Sequence, residues 1–88
     1  MKLSLFIGEA QSLKDKRHAL EGLKDRLRSR FNVSVAETAH QDMHQRAEIA
    51  VAAVSNDGKY LNGLLDSVLN YVKKDGLIVL AGHEIEVF

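Results

Sequence analysis

The sequence predicts an α+β fold in which two helices cover one face of a four-stranded sheet. Three observations predict it. Four short stretches alternate apolar and polar residues, two longer stretches carry an apolar stripe at helical spacing, and the two kinds occur in the order β-α-β-β-α-β. A chain of 88 residues has room for one domain, expected to span residues 1–88.

Residues 2–8 set Leu3, Leu5 and Ile7 against Lys2, Ser4 and Phe6, the two-residue period of a half-buried strand. Ser12 followed by Asp15 reads as a helix N-cap with an acidic third residue. From Leu13 to Arg30 the residues Leu13, Leu20, Leu23 and Leu27 share a narrow arc, continued by Phe31, which predicts an amphipathic helix. Residues 32–38 and 46–55 alternate again, and the short polar stretch between them predicts an antiparallel hairpin. Ala50, Ala52 and Val54 add apolar character to the second face of the third strand, which predicts a central strand covered on both sides.

Ser55, Asn56 and Asp57 are capping residues ahead of a second stripe running from Tyr60 to Val72, and Asp75-Gly76 is expected to end that helix through the glycine. Residues 77–88 are strand-like but change apolar parity between Leu80 and His83, so a bulge is expected at Ala81-Gly82. The order of elements is the split βαβ, or ferredoxin-like, arrangement, with strands one and three in the centre of the sheet.

Composition excludes several classes. A hydrophobic fraction of 45% beside 27% charged residues is that of a folded globular chain, not a disordered one. Without cysteine there are no disulfides, thiolate nucleophiles or thiolate zinc sites, and a reducing cytoplasm is the expected location. No apolar run approaches the roughly 20 residues of a membrane helix, and the apolar stretch in MKLSLFIGEA is too short for a signal peptide, so no membrane role is expected. The net charge is zero, yet residues 1–30 hold eight of the twelve Lys and Arg and only four of the twelve acids. Positive charge is concentrated in the first helix.

The catalytic inventory is thin. No serine sits in a nucleophile elbow, and no glycine pattern forms a phosphate loop, so the protein is expected not to be an enzyme and to carry no cofactor. Glu37, His40, Asp42 and His44 are metal-type donors within a short stretch, the basis for a third-ranked reading as a small metal-dependent hydrolase. In a hairpin loop, however, the convergence that two histidines four apart have on a helix face is not given, and no metal is expected.

With Leu20 at 0°, Lys24, Arg17, Arg28 and Lys14 fall at about 40°, 60°, 80° and 120° on an ideal helix, a cationic stripe interrupted only by Glu21. Lys16 lies so near the apolar arc that its stem is expected to snorkel across it. Lys14, Lys16, Arg17, Lys24 and Arg28 are therefore the candidate contacts for a phosphate backbone. The open sheet face is expected to expose Phe6, Ala50, Ala52 and Phe88 beside three glutamates, Glu48, Glu84 and Glu86, a composition that suits a protein partner or a second copy better than RNA.

Several segments resemble the YlxP-like family of small bacterial proteins, whose name records no function. They are Ser12 to Arg17, Arg30 to Glu37, His40-Gln41-Asp42, Gln45-Arg46-Ala47 and Val54 to Asp57, and the resemblance covers nearly the whole chain. His44 departs from it, since the family pattern leads one to expect tryptophan there. The resemblance implies a ferredoxin-like fold and a genomic setting among translation and ribosome-maturation factors, and it supplies no catalytic residue. The leading expectation is a cytoplasmic, non-enzymatic binding module for RNA or a ribosomal particle acting through helix one. The alternative is a homo-oligomeric module, a homodimer for instance, or a protein-interaction module, acting through the open sheet face.

Overall fold

A computed structural model describes residues 1–86. Its elements are β1 (Lys2–Phe6), α1 (Leu13–Arg30), β2 (Ser34–Ala39), β3 (Arg46–Ala52), α2 (Gly58–Lys73) and β4 (Val79–Glu84). The strands form one antiparallel sheet in the order β2-β3-β1-β4, the ferredoxin-like arrangement. Leu3 and Leu5 of β1 and Ala47, Ile49 and Val51 of β3 face inward. Leu20, Leu23 and Leu27 of α1 and Val68 and Val72 of α2 close over them.

Local chemistry sets the helix starts. Ser12 Oγ accepts from the Asp15 N–H at 3.1 Å, while Asp15 Oδ2 accepts from the Gln11 N–H, a capping box whose return bond reaches one residue further back. In α2 the cap is Asp57, whose Oδ1 accepts from the Lys59 and Tyr60 N–H groups, and Ser55 Oγ in turn accepts from the Asp57 N–H.

Three features differ from what the sequence predicts. Helix α2 does not end through a left-handed glycine, since Gly76 has no positive φ; Asp75 Oδ1 turns the chain by accepting from the Leu77 and Ile78 N–H groups at 2.8 and 2.9 Å. Tyr60, expected on the buried stripe, is exposed, because it lies in the first turn of α2 beyond the sheet-covering part of the helix. The outer face of β3 is not covered by the described residues either: Ala52 is exposed, and Val54 beyond the strand is 98% exposed.

The bulge falls where parity requires it. Leu80 pairs with Leu5 and Gly82 with Ser4, so Ala81 is the extra residue on β4. Helices α1 and α2 run side by side where Arg26 meets Asp75 at 2.8 Å and where Arg30 lies 4.9 Å from the centre of the Tyr71 ring. These contacts fix the end of α2 beside the C-terminal half of α1. Among the described residues, the turn at Leu77 and the connection from β1 through Ile7, Glu9 and Ala10 flank the N-terminal half of α1, and a groove opens there.

Candidate nucleic-acid interface

The structure divides the five candidate cations of α1. Lys14 and Arg17 are exposed and line the groove, and neither forms an ion pair among the described residues. The groove holds about 570 Å³ over a floor of Ile7, Ala10, Ala19 and Leu77, and Glu9, Asp15, His18 and Glu21 complete its rim.

The other three cations are engaged by the fold. Lys24 Nζ meets Glu21 Oε1 at 2.7 Å, with the lysine side chain only 14% exposed. That hydrogen bond, aided by the charge of Lys24, holds the Glu21 carboxyl below its ordinary value. Arg28 donates to the Val35 carbonyl at 2.8 Å and contacts Asp25 Oδ1 at 3.4 Å. Its guanidinium thereby covers an open carbonyl of edge strand β2.

Lys16 corrects the expectation of a snorkelling side chain. It is 1% exposed, its ammonium donates to the His40 carbonyl, and it meets Glu37 Oε2 at 2.9 Å. The stem follows the leucine arc as the angles require, but the hairpin lies over its end, so the charge is met inside the protein and is closed to a phosphate. A lysine at a core position of α1, spaced by four residues from Leu20, was the available signal in the sequence. Its partner lies in a distant strand and left none.

The metal-type donors do not converge. Glu37 is held on Lys16, while His40, Asp42 and His44 are exposed on the hairpin, and no group of three such residues comes together among the described residues. His40 adopts a left-handed backbone with φ of 63°, and its carbonyl accepts from the Met43 N–H at 3.0 Å as well as from Lys16.

On the sheet face Phe6 is 42% exposed, Ala50 is half-buried and Ala52 is exposed, while Phe88 lies outside the described residues. Phe6 stands between Arg46 of β3 and Val79 of β4, and Lys2 between Ala50 and Glu84. Glu48 is turned toward β2, where its Oε1 accepts from Thr38 Oγ1 at 2.9 Å. No helix among the described residues is long and apolar enough to cross a membrane.

The fold and this surface define a small ferredoxin-like α+β protein with an apolar-floored groove beside its first helix. The chain belongs to the family described as a protein of unknown function, DUF503, whose pattern matches residues 1–85. It is similar to the protein of Bacillus subtilis (strain 168) described as the uncharacterized protein YlxP. The two are 38% identical over 67 residues, a stretch spanning 76% of this chain and 73% of the relative.

Proposed function

We propose that this protein is a cytoplasmic, non-enzymatic binding module that contacts RNA, free or within a ribosomal particle, through the N-terminal half of α1. The supporting observation is the contrast among the five cations: three are satisfied by the fold, whereas Lys14 and Arg17 stand exposed on a groove rim and form no ion pair among the described residues. Exposed cations without partners are the groups whose charge is available to displace counterions from a phosphate backbone.

The revised cation set changes the expected salt dependence. Four phosphate contacts from Lys14, Arg17, Lys24 and Arg28 would give a log-log salt slope of roughly −3 on a single strand, and two contacts give about −1.4. Filter binding of a short single-stranded RNA across a salt series measures it. Reversing both residues, Lys14→Glu with Arg17→Glu, is expected to abolish most binding and the salt slope with it, with the far-ultraviolet circular dichroism unchanged. Binding that survives the double reversal with its slope intact would overturn the assignment.

A further inference from the structure

Two phosphate contacts give weak affinity, so a stable complex with RNA needs a further contribution, and the sheet face offers one at the same end of the molecule. Phe6 is the last residue of β1, Arg46 the first of β3, and the two are register partners. The six residues after Phe6 lead into the start of α1, so this pair and Lys14 lie at the same end of the chain path, the pair on the open face of the sheet and Lys14 on the helix-covered side. We infer that Phe6 and Arg46 form a nucleotide site for a single-stranded nucleic acid, one base stacking on the Phe6 ring and its phosphate pairing with the Arg46 guanidinium. The inference rests on the proposed RNA-binding role and adds a second, separable surface to it.

Three observations carry it. First, Phe6 borders a cleft of about 330 Å³ with Ser4, His40, Arg46 and Ala81 at its walls, at the small end of the range for ligand clefts. The small side chains of Ser4 and Ala81 leave room beside the aromatic ring. Second, the ring is seated against the backbone of Gly8: a Cβ at Gly8 would stand 3.0 Å from Phe6 Cε1. The glycine leaves the ring room beside the backbone, and an aromatic side chain with only two torsions costs little ordering when a base stacks on it.

Third, the charges agree with a phosphate. Arg46 is exposed and forms no ion pair among the described residues, so its fork of donors is available. Of the three glutamates on the sheet face, Glu86 lies with Glu84 beside Lys2 and Ala50 at the other end of β1, and Glu48, two residues from Arg46, has its carboxylate engaged by a hydroxyl. Glu48 is turned to Thr38, and Glu84 pairs in register with Lys2, about 13 Å along β1 from Phe6 at strand rise and beyond the screening length in physiological salt.

The test uses the intact protein and a single-stranded RNA hexamer carrying 2-aminopurine, beside the same hexamer with an abasic site in its place. Wild-type protein is expected to quench the probe and to bind the abasic hexamer on the order of ten-fold more weakly. Phe6→Leu keeps an apolar side chain and removes the ring; it should erase the preference for the base while leaving the salt slope, and Phe6→Tyr should restore the preference. Arg46→Gln should reduce the slope by about 0.7. Gly8→Ala, which crowds the ring without altering it, should weaken quenching and serves as the second probe should Phe6→Leu perturb the fold.

The surfaces are distinguishable. Binding that requires Lys14 and Arg17 but is indifferent to Phe6→Leu and Gly8→Ala would overturn the nucleotide site and leave the helix reading in place. Binding that requires Phe6 but not Lys14 and Arg17 would support the nucleotide site and overturn the helix assignment. A sedimentation shift in Phe6→Leu without any effect on the probe would overturn the nucleotide site in favour of a second copy or a protein partner on this face.

Discussion

Lys16 shows how one side chain couples a helix to a hairpin. Its ammonium replaces lost water with the His40 carbonyl and the Glu37 carboxylate, and Glu37 Oε2 is itself buried. Lys16→Ala leaves that carboxylate without its counterion and opens a cavity, so a loss on the order of 3 kcal/mol is expected in urea unfolding. Lys16→Met with Glu37→Leu removes both charges and is expected to recover most of that loss. Glu21 gives a smaller effect with a definite pH signature. Its carboxyl is held below the ordinary value of 4.5 by Lys24, so the folded state favours the charged form; the contribution is complete above 4.5 and disappears as pH falls through the lowered value. The melting-temperature gap between wild type and Glu21→Gln should therefore shrink toward zero below about pH 4.5, and it should be small throughout because Glu21 is exposed.

The elements are closed by short polar contacts that the core leucines cannot supply. Asp57 satisfies two N–H groups at the start of α2, a helix with no acidic residue in its first turn to share that task. Asp57→Ala is expected to cost about 1 kcal/mol, read as a lower urea midpoint with an unchanged slope. Arg28 serves the neighbouring edge: by donating to the Val35 carbonyl it occupies a position where a foreign strand would pair, and the irregular register after Glu37 adds to that protection. The same geometry explains why a cation of the predicted stripe is not free for phosphate.

In the molecule as a whole, about half of the segregation of charge along the chain is offset in space, since two ion pairs cross from a first third that holds four more cations than acids. Lys16 reaches Glu37 and Arg26 reaches Asp75, each pair joining the basic first third of the chain to its acidic remainder. What remains unpaired on α1 is narrow, and it lies where α2 has ended and a groove has opened. The salt effect on RNA binding is therefore expected to exceed any effect on folding. Over the same salt series the urea midpoint should move little, because Lys16 and Glu37 are shielded from screening ions and the core is apolar.

The order of elements, the inward parity of β1 and the inner face of β3, the Ser12 cap and a bulge at Ala81-Gly82 were legible in the sequence, because each depends on residues within a few positions of one another. The cationic stripe was legible only as an angular pattern. Which of its members stayed free was decided by groups far along the chain: the His40 carbonyl, 24 residues from Lys16, and the Val35 carbonyl that receives Arg28. The pairing of Phe6 with Arg46 and the seat of its ring against Gly8 likewise came from strand register and backbone approach. Periodicity fixes which way a side chain points, since that follows from local backbone geometry. What it meets there depends on how distant segments pack, and only the tertiary structure determines that.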